Sequence, residues 1–254
     1  MAKKSSKTKK VKTPKENQPS STKKPKSKHI ITKLPLSLVP LTSTNIKLIS
    51  LIPNAVYYAH DFFTQMECKR WIEHAETQLS FEYLQHNATR YIAHRECSRI
   101  QNTNWELSDL LYQRMKSIIS ELDSYMKIGH EHGHEHELYE PITCNGNIRL
   151  YKYEKHMSFG KHVDGSDRID HIMNGNTEIT VLIYLSTCNS GATRFYPPTN
   201  KKKQNEGIAF LPKAGSILFH VHGNRCLEHE ADPVLSGIKY VLRTDVVYGT
   251  KSDK

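Results

Sequence analysis

His162 and Asp164 stand two positions apart in FGKHVDGS, and His229 follows 67 residues after His162, in CLEHEADPV. In an extended strand, residues two apart project from one face, so the imidazole and the carboxylate can take adjacent positions on one ion. Two histidines and one carboxylate form a facial triad that leaves three coordination positions open, the arrangement suited to non-haem iron(II) and oxygen chemistry. An HxD pattern alone carries little weight in a chain with 15 histidines. The cations downstream add to it. Lys239 and Arg243 lie ten and fourteen residues past His229, in KYVLRTDVVY. Positions 239, 241 and 243 share one strand face, so either cation can turn inward toward an anionic ligand. A cation buried alone costs on the order of several kcal/mol, so an inward Lys or Arg predicts a bound carboxylate. The alternative is that both face solvent.

These side chains need a scaffold, and its elements are visible in the pattern of apolar residues. Thr64 and Glu67 have capping-box spacing, followed by Met66, Arg70, Trp71 and Ala75 at helical intervals. Trp105, Leu107, Leu110, Leu111, Met115, Ile118, Ile119, Leu122 and Met126 recur every three or four residues and predict a second amphipathic helix. The second half supplies short strands rich in β-branched and aromatic residues: NIRLYKY, EITVLIYL, ATRFY, GIAFL, SILFHVH and KYVLRTDVVYG. Helices followed by closely spaced short strands predict a mainly β, α+β fold, an antiparallel double-sheet (jelly-roll) barrel with the N-terminal helices packed on one sheet.

The chain has 254 residues, 37% of them hydrophobic, enough for one sizeable domain. Its net charge of +10 is concentrated at one end. Eleven of the 36 Lys and Arg, but one of the 26 acids, fall in residues 1–28, leaving 25 of each sign elsewhere. That segment has almost no apolar residues to offset its ordering entropy and is expected to be a disordered basic tail. Its clusters KKVK and KKPKSK suggest contact with a polyanion or an import receptor, hence a nuclear or nucleo-cytoplasmic protein; the plainer reading is a solvated tail. Residues 29–56 are expected to form an extended lead-in, residues 57–249 the catalytic domain, and residues 250–254 a C-terminal tail. No apolar run approaches the ~18 residues of a membrane span, so a soluble intracellular protein with no membrane partner is expected. The five cysteines show no CxxC spacing and are expected to be reduced, mostly buried thiols. The His-rich stretch GHEHGHEHELYEP, with His130, His132, His134 and His136, is expected to be a flexible loop that binds metals opportunistically.

Over residues 57–249 the sequence resembles the prolyl 4-hydroxylase-like branch of the 2-oxoglutarate oxygenases. Tyr153 and Phe159 match the family's aromatics before the first metal His. Tyr184 in VLIYLS resembles the inward Tyr that helps hold the co-substrate. SGATRF resembles the glycine-led GGxTxF segment, with Gly191, Thr193 and Phe195 matching and Ser190 departing from the first Gly. PKAGSILF resembles the turn into the strand before the distal His, and Lys239 the basic residue ten positions after it. The resemblance implies a double-stranded β-helix core and iron(II) on His162, Asp164 and His229. It further implies 2-oxoglutarate held by Lys239 or Arg243 with Tyr153 or Tyr184, oxygen as second co-substrate, and ascorbate as reductant. A protein or peptide, with a prolyl residue as acceptor, is the implied substrate. YIAHRECSRIQ resembles the segment that reaches the active-site mouth, so Arg95 and Arg99 are candidate substrate contacts, or else pair with nearby acids.

Three other readings compete. The same oxidant can remove an N-methyl group from a nucleic acid or a methylated protein, although a neutral catalytic region offers phosphates little. A non-catalytic module could keep the barrel without turnover. A cupin-like isomerase or lyase would use another divalent metal with more His ligands and no carboxylate clamp.

Overall fold

The computed structural model describes residues 46–128, 139–198 and 206–250. The basic tail, most of the lead-in, the His-rich segment 129–136 and residues 251–254 lie outside the described residues.

Helix α1 (Gln65–Gln78) starts where its capping box predicts, with Thr64 accepting from the Glu67 amide and the Glu67 carboxylate accepting from Thr64 N–H. Cys68, Trp71 and Ala75 form its buried face, while Met66 and Arg70 face solvent. Helix α2 (Trp105–Met126) is capped by the Asn104 side chain and ends on Lys127 in the left-handed conformation. Its buried stripe runs from Leu107 to Met126 and is narrower than the sequence suggests, because Trp105 and Leu110 are about a third exposed. Arg114 of α2, itself buried, ties the two helices together. Its guanidinium donates to both Glu67 oxygens, at 2.5 and 2.9 Å, and to the Phe62 carbonyl at 2.8 Å. Burial pushes the Glu67 pKa up, but the hydrogen bonds from Arg114 and Thr64 outweigh it and hold the carboxyl below its usual range. Glu67→Ala removes the cap and leaves a buried guanidinium unpaired, so a loss of about 3–5 kcal/mol is expected, read as a shift in the urea midpoint. A shift under about 1 kcal/mol would show that Arg114 finds another partner.

The strands are β1 (Ile49–Ile52), β2 (Val56–Ala59), β3 (Glu82–His86), β4 (Arg95–Thr103), β5 (Tyr139–Cys144), β6 (Asn147–Tyr153), β7 (Phe159–His162), β8 (Asn176–Tyr184), β9 (Thr193–Tyr196), β10 (Ile208–Phe210), β11 (Ile217–Val221), β12 (Glu228–Ala231) and β13 (Lys239–Thr250). All pairings are antiparallel, in the order β1-β2-β11-β8-β13-β6-β4-β7-β12-β9-β10, with β3 beside β4 and β5 beside β13. The ribbon turns a corner at β4, which runs along β6 but meets β7 at the single pair Arg95↔Phe159. Two sheets result, a larger one through β8 and β13 and a smaller one of β7, β12, β9 and β10. This is the jelly-roll core expected from the sequence, with α2 lying against β5. The first half adds four strands, β1 to β4, to those read from the second half.

β8 and β13 form the central pair, and their alternate residues fill the space between the sheets. Tyr184, Val241, Leu218 and Phe195 pack together in one cluster; Cys97, Tyr151, Tyr153 and Val234 form another. Gly215, at φ +85°, makes the turn into β11 in PKAGS; a Cβ there would lie 2.2 Å from the Phe63 carbonyl oxygen, so no other residue fits.

Candidate active site

His162 closes β7 directly opposite His229 of β12, so the ladder fixes the two imidazoles as neighbours, with ring centroids 4.2 Å apart. Asp164 is not within a strand, contrary to the sequence expectation. The segment opposite it, ahead of β12, forms the 3₁₀ turn Gly223–Arg225, so the Asp164 N–H is taken by Cys226 Sγ at 3.2 Å and its carbonyl by Gly223 N–H. The carboxylate nevertheless reaches both histidines: Oδ1 lies 3.8 Å from His162 Nε2, and Oδ2 lies 3.8 Å from His229 Nε2. The donor atoms of His162, Asp164 and His229 all fall within 4.8 Å of one another.

The protonation states suit a metal. His162 Nδ1 lies 2.9 Å from the Gly160 carbonyl, and His229 Nδ1 lies 2.9 Å from the Leu227 carbonyl. A carbonyl only accepts, so each Nδ1 carries the proton and each Nε2 presents its lone pair toward Asp164. Burial, then the neighbouring His229, lowers the His162 pKa to about 3, and burial lowers that of His229. For Asp164 burial works in the other direction, but Arg243 and the surrounding histidines outweigh it and hold the carboxyl well below its usual range. Two neutral imidazoles and a carboxylate need lose no proton to bind a divalent ion.

The cavity next to these groups is lined on the larger sheet by Tyr151, Tyr153, Thr180, Leu182, His220, Lys239, Val241 and Arg243. Phe159, Thr193, Glu230 and Ala231 line it from the smaller one. Lys239, Val241 and Arg243 share the inward face, as their spacing predicts, but the two cations differ in what they meet. The Arg243 guanidinium is 2.9 Å from Asp164 Oδ2 and 3.2 Å from Asp245 Oδ1. Burial opposes its charge, yet these two carboxylates keep it protonated. Lys239 is 2% exposed and makes no ion pair among the described residues; Nζ donates to the Gly191 carbonyl at 2.7 Å and lies 5.4 Å from the Tyr153 ring. Burial lowers its pKa to about 8. Gly191 adopts φ +68°, and a Cβ there would press to 2.8 Å from Val234 Cγ2, so this close approach needs glycine.

The model of the 2OG-Fe(II) oxygenase superfamily matches residues 148–244, which span His162, Asp164, His229, Lys239 and Arg243. That match supports a 2OG-Fe(II) oxygenase for this part of the chain. Members of that superfamily use iron(II) with 2-oxoglutarate and oxygen as co-substrates, and the neutral-imidazole and carboxylate donors just described fit that ion. Among solved structures, the fold is similar to a viral collagen prolyl hydroxylase from Paramecium Bursaria Chlorella virus-1, solved as its 2OG complex. That match has a TM-score of 0.50 at 16% identity over 77% of this chain and 96% of that one. It is also similar to a prolyl hydroxylase from Trichoplax adhaerens, solved with a hypoxia inducible factor oxygen degradation domain peptide fragment. Here the TM-score is 0.51 at 17% identity, over 76% of this chain and 83% of that one. Comparison with curated protein sequences gives no match.

The remaining candidate residues differ in their position relative to the cavity. Tyr153 lines the cavity, and burial raises its pKa well above the usual phenol value, so its hydroxyl stays protonated. Tyr184 does not line it; its hydroxyl is bound to Thr193 Oγ1 at 2.8 Å, and Thr193 borders the cavity instead. Arg95 and Arg99 pair with no acid among the described residues, and neither lines the cavity. Arg95 lies 3.7 Å over the Phe159 ring, which stacks at 3.7 Å on His162. Sequence reasoning missed Thr180, His220, His222 and Asp245. Thr180 Oγ1 is 2.7 Å from Asp164 Oδ2 and 2.6 Å from His222 Nε2, so it braces the carboxylate from behind. Nothing in EITVLIYL, SILFHVH or KYVLRTDVVY marks these polar residues as inward except strand alternation, which becomes informative once the position of Leu182 or Val241 is known.

Proposed function

We propose that this oxygenase hydroxylates a C–H bond of a protein or peptide, with a prolyl residue as the favoured acceptor. His162, Asp164 and His229 hold iron through Nε2, a carboxylate oxygen and Nε2. Bound iron with 2-oxoglutarate and oxygen supplies the oxidising chemistry, giving succinate and carbon dioxide with the hydroxylated product. Lys239 pairs with the distal carboxylate of 2-oxoglutarate, and Tyr153 beside it donates a further hydrogen bond. Arg243 orients Asp164 and adds positive charge near the metal-side carboxylate. Arg95, stacked on Phe159 outside His162, guides substrate at the mouth, and Arg99 follows on the same strand face. Leu182, Val241 and Phe159 keep water away from the reacting atoms.

The observation that carries this reading is Lys239: a fully buried ammonium without a carboxylate, lining the cavity that the three metal-binding side chains also border. The prolyl acceptor has weaker support, namely the folds of two prolyl hydroxylases. The test is succinate release from 2-oxoglutarate by the iron-loaded full chain after oxygen admission. It is paired with mass spectrometry for +16 Da products that are absent when His162→Ala replaces the intact enzyme. Succinate release at the level of His162→Ala would remove the catalytic assignment; +16 Da products on residues other than proline would remove the prolyl acceptor alone. Ascorbate as the reductant rests on the sequence resemblance. Residues 1–28 are proposed to direct nuclear import, and a tagged chain lacking them is expected to lose its nuclear signal.

A further inference from the structure

The proposed chemistry leaves one group in the cavity without a task. His220 of β11 is fully buried, its Nε2 has no hydrogen-bond partner, and it lies 3.5 Å from Asp164 Oδ2 without bonding it. Its ring centroid is 4.5 Å from that of His229. On its other side, Nδ1 is 4.0 Å from Cys226 Sγ. An imidazole nitrogen buried without a partner is costly to the fold unless something binds it.

We propose that His220, Cys226 and His229 form a second metal site, overlapping the iron site through His229 and selective for a thiophilic divalent ion of the zinc class. The donor atoms of these three residues lie within 4.8 Å of one another, the same span as in the iron set. Around zinc, with about 2.3 Å to sulfur and 2.0–2.1 Å to nitrogen, tetrahedral donors sit roughly 3.3–3.7 Å apart, so a contraction of about 1 Å is needed. His220 enters the set through Nδ1, the nitrogen 4.0 Å from Cys226 Sγ, which leaves Nε2 to carry the proton toward Asp164 Oδ2 at 3.5 Å and the fourth position to water. Thiolate favours zinc, whereas two imidazoles and a carboxylate without sulfur suit iron(II). Both sets use His229, so the two ions exclude each other. Zinc has no redox chemistry, so the enzyme that holds it is inactive. The site itself rests on these donors alone; the competition rests on the iron reading above.

Cobalt(II) is the probe, because its thiolate complexes absorb in the near ultraviolet and the His-rich segment 129–136 cannot produce that band. The metal-free full chain, titrated with cobalt(II), is expected to show the band in the wild type and in His162→Gln. It is expected to vanish in Cys226→Ser and to need at least tenfold more cobalt in His220→Gln. Circular dichroism checks that each variant is folded. A wild type without the band, or a band that survives Cys226→Ser, overturns the site. In parallel, the visible absorption of the iron(II)–2-oxoglutarate complex reports the iron set: if it forms while the thiolate band does not, this inference alone fails. Zinc is expected to bleach that absorption at concentrations at least tenfold lower in the wild type than in Cys226→Ser. Equal concentrations overturn the competition.

Discussion

Lys239→Met is expected to weaken 2-oxoglutarate binding by on the order of a hundredfold and, at the same time, to raise the melting temperature of the ligand-free protein. The two effects have one cause. Burial lowers the Lys239 pKa from 10.5 to about 8, so the folded state holds this proton less tightly than the unfolded chain does. With the folded pKa depressed for a base, the unfolded state binds more protons between pH 8 and 10.5, and stability rises with pH across that window. Below about pH 8 the full cost is present, roughly 3 kcal/mol at about 1.4 kcal/mol per pKa unit. Met fills similar space without the charge, but it leaves the Gly191 carbonyl without its donor, which costs about 1–3 kcal/mol. The difference leaves a net gain of about 1 kcal/mol at neutral pH, a few degrees in melting temperature. Calorimetry of both proteins from pH 7 to 10 checks the sign, because the gap must narrow as the wild-type cost is relieved. Added 2-oxoglutarate should stabilise the wild type and not the variant. An equal ligand-induced shift in both would transfer the clamp from Lys239 to another residue.

That prediction depends on a residue whose inward position was legible in the sequence, while its isolation from other charges was not. Alternation places 239, 241 and 243 on one face, but it does not say that Asp164 and Asp245 neutralise Arg243 and leave Lys239 without a carboxylate. The two cations that the sequence leaves as alternatives have different neighbours because they lie four residues apart along β13, Arg243 beside Asp164 and Lys239 beside Gly191. The helices were legible for a simpler reason: the Thr64 and Glu67 capping box and the α2 stripe are local signals within a few residues of one another. Strand β3 was not legible, because EYLQH is exposed at four of its five positions and shows no apolar alternation. Asp164 was read as a strand residue, since the 3₁₀ turn that ends its ladder lies some sixty residues away in sequence. His220 was hidden for the opposite reason: SILFHVH reads as a buried apolar strand, and every residue of β11 is indeed buried.

The second large effect concerns Asp164, proposed above as a metal ligand and also one half of a buried ion pair. Asp164 accepts from the Arg243 guanidinium and from Thr180, and Asp245 shares the same guanidinium. In Asp164→Asn, Arg243 keeps Asp245, so the fold is expected to lose only about 1–3 kcal/mol, whereas succinate release should fall by on the order of a thousandfold as the charged metal ligand disappears. Arg243→Met inverts the balance. It leaves Asp164 buried without its cation while Asp245 keeps Arg149 at 3.6 Å, a loss of about 3 kcal/mol in the metal-free protein. Iron(II) replaces one missing positive charge beside Asp164, so it should recover part of that loss. The expected pattern is a larger iron-induced rise in melting temperature for Arg243→Met than for the wild type, and almost none for Asp164→Asn. A stabilisation by iron in Asp164→Asn as large as in the wild type would place the ion elsewhere. An iron-induced shift in Arg243→Met no larger than that of the wild type would mean that the guanidinium and the metal do not act on the same carboxylate.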